Sequence, residues 1–105
     1  MPNAEGDDFA SRVLEVVATI PDGMVMSYSD VAAAIGSRAA RAVGQVMAYS
    51  GADVPWWRVA RASGHAAIGH EARALERYRA EGTALRWSGE SFRVDLAMAR
   101  YVPHS

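Results

Sequence analysis

The chain has no cysteine and no lysine among its 105 residues. Without cysteine it cannot form disulfides, present a cysteine nucleophile or bind a metal through a thiolate. The histidines have no carboxylate or histidine partner at a familiar ligand spacing, so we expect no metal site. Nothing in the sequence requires a cofactor. The histidines are His65, His70 and His104.

Long apolar runs are also missing, although half of the residues are hydrophobic. No segment is long enough to span a membrane. The polar, acidic opening at residues 1–8 lacks the basic start and apolar stretch of a secretory signal, so we expect a cytoplasmic protein without membrane contact. The length predicts one domain over residues 1–105 with a single modest core, and we expect residues 1–7 to be flexible.

Charge is nearly balanced, with a net value of −1, but it is distributed unevenly. Residues 1–30 are acidic, whereas residues 37–61 are basic. Every basic residue is an arginine, which suits bidentate contacts with phosphate. This local excess is compatible with moderate DNA affinity and not with strong binding driven by charge alone. The basic stretch carries Arg38, Arg41, Arg58 and Arg61 against Asp53.

Hydrophobic spacing predicts an amphipathic helix over residues 8–20, with Asp7 or Asp8 as its cap and residues 21–23 as its end. The apolar positions are Phe9, Val13, Val16, Val17 and Ile20.

Two shorter helices are predicted next. Ser27, with an aspartate three residues later, is typical of a helix start, and Gly36 is a suitable stop. Ser37 can cap the second helix, whose core face is formed by residues 40, 43, 46 and 47. Such a pair is a helix-turn-helix pattern. The pattern alone leaves DNA binding open, because arginines on an exposed helix face are often merely solvated. The face opposite the core carries Arg38, Arg41 and Gln45.

The second half of the chain alternates strand and helix signals. Residues 54–61 are predicted as a strand that leads into a turn at Ser63 and Gly64. Residues 71–81 are predicted as a helix held to the core by Leu75 and Tyr78, residues 85–94 as a hairpin, and the end near Tyr101 as a last helical turn. The expected fold class is α+β: a small helical domain with a winged-helix-like helix-turn-helix and short β-hairpins.

Four segments in order resemble the C-terminal DNA-binding domain of the O6-alkylguanine-DNA alkyltransferases. The resemblance extends over residues 9–94. The family segment Gly-x-Val-x-Thr-Tyr-Gly appears as GMVMSYS at residues 23–29, and Ala-Arg-Ala-Val-Gly is present at residues 40–44. The reactive Pro-Cys-His-Arg-Val appears as PWWRV at residues 55–59, and the Glu-Gly pair that closes the following helix is residues 81–82.

The reactive segment departs from the enzymes at its two chemical positions. Trp56 stands where those enzymes have the cysteine that accepts the alkyl group, and Trp57 stands where they have the histidine base. Indole has one N–H donor and no useful basicity, so alkyl transfer by this route is excluded. A tryptophan at the cysteine position resembles the alkyltransferase-like proteins. That resemblance implies a sensor that is not an enzyme, flips O6-alkylguanine out of the duplex and marks it for nucleotide excision repair.

The resemblance also implies roles for individual residues. Tyr28 would press on the phosphate of the rotated nucleotide, and Arg41 would enter the duplex in place of the flipped base. Each has a simpler structural alternative. Tyr28 could simply pack over the core, and Arg41 could simply contact phosphate or be solvated. The other expected contacts are Ser37, Arg38 and Gln45 on DNA, and Trp56, Trp57, Arg58 and Val59 in a lesion pocket. Trp56 and Trp57 could instead simply pack in the core, and Arg58 is expected to brace the pocket or the loop that follows.

Two details differ from the family. Ser50 stands in place of a hinge asparagine, and the loop at residues 63–70 offers only histidines where some relatives carry a basic residue. A cation for the lesion could then come from Arg61 or Arg73. Glu81 matches the carboxylate that orients the enzymes' histidine, and a structural role is expected for it here.

The expected partners are double-stranded DNA containing O6-alkylguanine and nucleotide excision repair proteins, with a monomer sufficient for one flipped base. In a bacterial cell, DNA binding would bring the protein to the nucleoid. Two alternatives stay open. One is a winged-helix regulator, sequence-specific or general, without lesion preference. The other is a glycosylase that uses Glu81 or Asp53 in the pocket.

Overall fold

The computed structural model describes residues 4–103, with side chains from residue 8 onward, as five helices and two small sheets. The predicted α+β fold class is confirmed. In chain order the elements are α1 (Ala4–Ala18), β1 (Met26–Ser27), α2 (Tyr28–Ala34), α3 (Ala40–Ser50), two 3₁₀ turns (Gly51–Asp53 and Trp56–Arg58), β2 (Val59–Ala60), α4 (Glu71–Glu81), β3 (Leu85–Ser88), β4 (Ser91–Val94) and α5 (Leu96–Ala99).

Helix α1 begins four residues before the predicted start and ends two before the predicted end. Asp7 and Asp8 lie inside it, so the predicted cap is wrong, and residues 4–7 form the first turn of the helix. Residues 1–3 lie outside the described residues. Carboxylates near the positive N-terminal end of a helix favour the longer helix. At the other end, the N–H groups of Thr19 and Ile20 bond to carbonyls three residues back and tighten the last turn.

The start and end of α2 agree with the sequence. The Ser27 hydroxyl accepts the Asp30 N–H at 3.0 Å and the Asp30 carboxylate accepts the Ser27 N–H at 3.0 Å, which is a complete capping box. After the helix, Gly36 takes a left-handed conformation with φ +73°, which glycine adopts without steric cost. The N–H of Ser37 then reaches back to the Ala32 carbonyl at 2.9 Å and completes a Schellman motif.

This motif makes Ser37 part of the end of α2, so its predicted role as the cap of α3 is wrong. The Ser37 hydroxyl instead accepts the Ala39 N–H at 3.0 Å within the loop. Helix α3 starts at Ala40, and its cap residue Ala39 makes no side-chain cap. Arg38 therefore precedes the helix, although the sequence pattern placed it on the helix face.

The strand predicted at residues 54–61 is reduced to β2. Pro55 has no N–H for a ladder, and its carbonyl accepts the Arg58 N–H at 3.0 Å, which bends residues 56–58 into a 3₁₀ turn. Strand β2 pairs in parallel with β1, in the register Met26 to Val59. The turn at residues 63–64 is present but does not join two paired strands, so the expected first hairpin is absent from this part of the described chain.

The C-terminal elements match their predictions closely. Helix α4 has the predicted bounds, and its buried residues are Ala74 and Tyr78, with Leu75 only half-buried. Strands β3 and β4 form the predicted hairpin, and α5 is the predicted last turn. Gly64 ties the preceding loop to β4. Its carbonyl accepts the Val94 N–H at 2.8 Å, and a Cβ there would lie 2.3 Å from the Val94 carbonyl oxygen.

The core consists of two clusters that meet at the parallel β1–β2 pair. The first joins α1, α2 and α3, and the second joins α4, the hairpin and α5. The buried members of the first are Val13, Val17, Ile20, Met26, Val31, Ala32, Val43 and Val59, and those of the second are Val25, Ala60, Ala66, Ala74, Tyr78, Val94 and Ala99.

Candidate nucleic-acid interface

The outer face of α3 is exposed and carries polar side chains. Val43 is buried against the first cluster, whereas Arg41 and Gln45 point away from it and are exposed. Arg38 is exposed just before the helix, and Ser37 beside it is half-buried. The basic face predicted for this helix is therefore present. Small residues along one side, Gly44 and Ala48, leave its backbone accessible to a large ligand.

Sequence reasoning missed Tyr49, which is 91% exposed. It follows Gln45 by one helical turn and so shares the exposed face of α3. The position could have been found from the helical spacing alone, because it lies four residues after Gln45 and eight after Arg41, both on the exposed face.

Beside this face lies a cleft of about 310 Å³. Helix α3 forms one side, and the 3₁₀ turn at residues 56–58, the loop before α4 and the first turn of α4 form the other. Its volume falls at the lower end of the range typical of small-molecule sites. The lining residues are Tyr28, Gly44, Met47, Ala48, Ala52, Trp56, Ala67, Ile68, His70 and Arg73.

Trp56 is half-buried and forms an aromatic wall of the cleft. The Arg73 guanidinium lies 5.3 Å from the centre of the Trp56 ring. The His70 ring lies 5.7 Å away at a tilt of 56°, and Trp57 packs edge-on at 5.6 Å. A cation and two rings thus hold the indole while it still borders the open cleft, which suits stacking on a planar ligand.

Tyr28 lines the same cleft from the start of α2. Burial raises the pKa of its hydroxyl, and the positive charge of Arg61 opposes the rise. The phenol therefore stays protonated at neutral pH and is available as a hydrogen-bond donor.

Trp57 and Arg58 face away from the cleft and converge on Glu81. The Trp57 Nε1 donates to Glu81 Oε2 at 2.8 Å. Arg58 donates from Nε to Oε1 at 3.0 Å and from Nη2 to Oε2 at 2.6 Å, a bidentate pair. The Gly23 N–H also donates to Oε1 at 3.0 Å. We call Trp57, Arg58, Glu81 and Gly23 the carboxylate brace.

The brace is largely shielded from solvent and favours the ionised forms of both Arg58 and Glu81. The side chains of Arg58 and Glu81 are only 13% and 11% exposed. Burial raises the pKa of Glu81, but the hydrogen bonds from Arg58, the Gly23 N–H and Trp57 outweigh it and leave that pKa below its ordinary value. Hydrogen bonding to Glu81 raises the pKa of Arg58 against the opposing effect of burial. Arg58 also donates to the Ile20 carbonyl at 2.9 Å and pairs with Asp22 at 2.5 Å.

The residues predicted for the lesion pocket lie in three different places. Trp56 lines the cleft, whereas Trp57 and Arg58 form the brace behind it and Val59 is 2% exposed in the first core cluster. Tyr28 joins Trp56 at the cleft, and Arg41 lies on the helix that forms its opposite side.

The two arginines predicted as possible cations for the lesion also lie in different places. Arg73 lines the cleft, whereas Arg61 donates to the Ala66 carbonyl at 3.1 Å and supports the loop. Ile68 is 77% exposed and lines the cleft, yet no sequence signal distinguished it from an ordinary loop residue. Neither Glu81 nor Asp53 lines the cleft, which removes the geometric basis of the glycosylase alternative.

Membrane-spanning helices and clusters of metal ligands are both absent from the described residues. Within residues 4–103 no helix is long and apolar enough to cross a membrane. Across the same described part of the chain, no group of three or more His, Asp or Glu side chains is placed to hold a metal ion.

A helix-turn-helix pair with an aromatic cleft beside its second helix defines a small α+β nucleic-acid-binding domain. Residues 8–86 match the family described as the DNA-binding domain of 6-O-methylguanine DNA methyltransferase. The chain belongs to this family and, within it, to the alkyltransferase-like proteins, as the sequence resemblance predicted.

Several relatives support the assignment. The chain is 40% identical to the DNA base-flipping protein of Escherichia coli K12, over 90% of this chain and 75% of that protein. Its structure is similar to that of S. pombe Atl1 in complex with damaged DNA containing O6-carboxymethylguanine, with a TM-score of 0.81 and 28% identity over 92% of this chain and 97% of Atl1. Similarity to the O6-methylguanine methyltransferase of Mycobacterium tuberculosis is lower, with a TM-score of 0.61 and 35% identity over 70% of this chain and 48% of that enzyme.

Proposed function

We propose that this protein is a DNA-damage sensor without catalytic activity, which binds O6-alkylguanine by flipping the nucleotide into the cleft beside α3. The observation that carries the proposal is the position of Trp56 on the cleft wall, where the related enzymes place their reactive cysteine. Relatives described as a base-flipping protein and as a complex with O6-carboxymethylguanine DNA support the same function.

Flipping requires a group that replaces the lost base. Arg41 is exposed on α3 next to the small residues Gly44 and Ala48, so the helix can approach DNA closely and insert the guanidinium into the vacated space. This insertion offsets part of the few kcal/mol of stacking and pairing lost on extrusion. Ser37, Arg38 and Gln45 contact the DNA beside it and position the helix.

The cleft holds the extruded base. A guanine ring stacks on Trp56, and base–aromatic stacking of this kind contributes about 1–3 kcal/mol per base. Arg73 lies over the same indole and directs its positive charge toward the bound lesion. The Tyr28 hydroxyl, protonated at neutral pH, donates to the phosphate of the rotated nucleotide.

The bound lesion is left unchanged. No residue of this chain provides a thiolate, and the indoles of Trp56 and Trp57 are not nucleophiles or bases. Binding without repair is useful only if another protein acts on the site. We therefore propose that the complex marks the lesion for nucleotide excision repair, in a bacterial cytoplasm and as a monomer, since one extruded nucleotide requires one copy.

The experiment that tests this function is equilibrium binding to matched duplexes with O6-methylguanine or guanine at one position, at fixed physiological salt. We expect tighter binding to the lesion duplex and recovery of intact O6-methylguanine after incubation. The Trp56→Ala and Arg41→Ala variants should lose the preference. Equal affinity of the native protein for both duplexes would contradict the proposal and favour the alternative of a regulator without lesion preference.

A further inference from the structure

Tyr49 is the most exposed of the large hydrophobic side chains on the described surface. It lies in the last turn of α3 and is 91% exposed, so its ring adds almost nothing to either core cluster. Single exposed apolar residues are ordinary on protein surfaces, and exposure alone does not indicate a site. The position of this ring on α3 is more informative, because that helix carries the side chains proposed to contact DNA.

Tyr49 completes a row of hydrogen-bond donors along α3. Arg41, Gln45 and Tyr49 follow one another at intervals of four residues and share the exposed face of the helix. A helix rises 1.5 Å per residue, so the row is about 12 Å long, roughly the length of three to four base pairs. The sequence has no acidic residue between Asp30 and Asp53. The row therefore presents donors to DNA without a carboxylate on α3 to repel phosphate.

Tyr49 and the cleft lie on opposite sides of this row. Gly44, Met47 and Ala48 line the cleft, whereas Tyr49 does not. At 3.6 residues per turn, Tyr49 is about 140° around the helix from Gly44, and Arg41 lies between them. The phenol therefore does not share the space into which the extruded base turns.

The side of the helix on which Tyr49 lies determines which DNA strand it meets. A helix in a duplex groove has one sugar–phosphate backbone on each side. The nucleotide that rotates into the cleft belongs to the strand on the cleft side, so the other side of α3 faces the complementary strand. A tyrosine hydroxyl is a neutral donor, and such donors to phosphate fix the register of a protein on DNA.

We propose that Tyr49 positions α3 by donating its hydroxyl hydrogen to a phosphate of the complementary strand, within about four base pairs of the lesion. The inference rests on the proposed function and deepens it by adding a contact to the strand that keeps its bases stacked. That phosphate is present in damaged and in undamaged DNA. The contact therefore strengthens binding to both and leaves the preference for the lesion to Arg41 and Trp56.

The first test is Tyr49→Phe, which keeps the ring and the net charge and removes only the hydroxyl. Its affinity is measured for the O6-methylguanine duplex and for the guanine duplex at fixed physiological salt. We expect weaker binding to both by about three- to tenfold, as for loss of one hydrogen bond, with the ratio of the two affinities unchanged. The matched control is Tyr101→Phe, the same change at a half-buried tyrosine, which should bind both duplexes as the native protein does.

A second measurement identifies the strand. Single phosphates near the lesion are replaced one at a time by uncharged methylphosphonates, in either strand, and each duplex is titrated with native protein and with Tyr49→Phe. At one position of the complementary strand we expect the replacement to weaken the native protein more than the variant, because the variant has already lost that contact. A merely structural role of Tyr49 would give no such coupling.

The proposal is overturned if Tyr49→Phe binds both duplexes as the native protein does, if it weakens binding to the lesion duplex alone, or if the coupled phosphate lies in the lesion strand. Equal affinity of the native protein for the two duplexes would instead overturn the proposed function. The phosphate contact would still be measurable in that case, so the two failures are distinguishable.

Discussion

Two consecutive tryptophans of one 3₁₀ turn contact each other edge to face but have different surroundings. Trp56 borders an open cleft, has a guanidinium and two rings against it, and also packs against the second core cluster. Trp57 donates its N–H to Glu81 and lies between two arginines, with ring-centre distances of 5.3 Å to Arg58 and 4.6 Å to Arg77. One indole is left available for a ligand, and the other is bound into the structure.

The two tryptophans stand at the positions that the family resemblance aligns with the nucleophile and the base of the enzymes. The positions of the lost nucleophile and the lost base now hold the same residue type, yet only the first faces the cleft. Glu81, which the family resemblance associates with a histidine, here accepts hydrogen bonds from the indole and the guanidinium beside it. The carboxylate brace thereby fixes the turn that presents Trp56.

The largest expected effect is on stability. Glu81→Ala leaves Arg58 with only exposed Asp22 as a charge partner and removes the acceptor of two N–H groups, so we expect a loss of about 3 kcal/mol, as for other shielded ion pairs. Urea unfolding measures it. Glu76→Ala, an exposed glutamate on the same helix, is the control and should change stability by less than about 0.5 kcal/mol. Similar losses in both variants would show that Glu81 in the brace stabilises the fold no more than an exposed glutamate does.

The next effect separates the two tryptophans by ligand affinity. Trp56→Ala should weaken binding to an O6-methylguanine duplex about ten- to hundredfold, because it removes the stacking wall, and should reduce binding to the guanine duplex far less. Trp57→Ala should chiefly lower the urea midpoint. Titration of both duplexes with both variants gives the comparison. If the two variants lost lesion affinity equally at a temperature where both are folded, the division between cleft and brace would be incorrect.

A smaller effect uses the two arginines that lie over these rings. Arg73→Gln removes the cation at Trp56 and should weaken lesion binding about two- to fivefold, the range expected for an exposed cation–π contact. Arg77→Gln removes the equivalent cation at Trp57 and should leave lesion affinity unchanged. Both variants lose one charge from α4, so an equal loss of affinity would indicate general electrostatics and not a contact in the cleft.

The smallest expected effect is the dependence of the brace on pH. Because the pKa of folded Glu81 is below its ordinary value of 4.5, its contribution is fully present above that value and is lost as pH falls through the lower folded pKa. Burial opposes the hydrogen bonds that lower the pKa, which keeps the effect modest. Urea midpoints of native protein and Glu81→Gln at neutral and acidic pH should converge on the acidic side. A constant difference between them would argue against this titration.

Local chemistry explains how far the sequence could predict the fold. The bounds of α4, the capping box at Ser27 and the hairpin at residues 85–94 follow from helical period, short-range hydrogen bonds and turn residues. The prediction of a strand over residues 54–61 is wrong because Pro55 starts a 3₁₀ turn and β2 pairs with a strand distant in sequence. The prediction that Ser37 caps α3 is wrong because its N–H bonds to the Ala32 carbonyl at the end of α2.

The candidate site was predictable only in part for a related reason. The family motif identified residues 55–59 as a group, but the sequence of the segment does not indicate which of its side chains faces the cleft. That division depends on Glu81, which reaches the turn from another helix. The contributions of Ile68 and His70 depend on how the loop before α4 folds over Trp56.

The most direct test of the central claim follows the lesion itself. A duplex carrying ¹³C-labelled O6-methylguanine is titrated with the protein, and the methyl resonance is observed by NMR. We predict an upfield shift from the ring current of Trp56, nuclear Overhauser contacts from the methyl to the Trp56 indole, and no transfer of the label to protein. A methyl resonance that keeps its free-duplex shift in the fully bound complex, or that contacts only α3, would contradict the account.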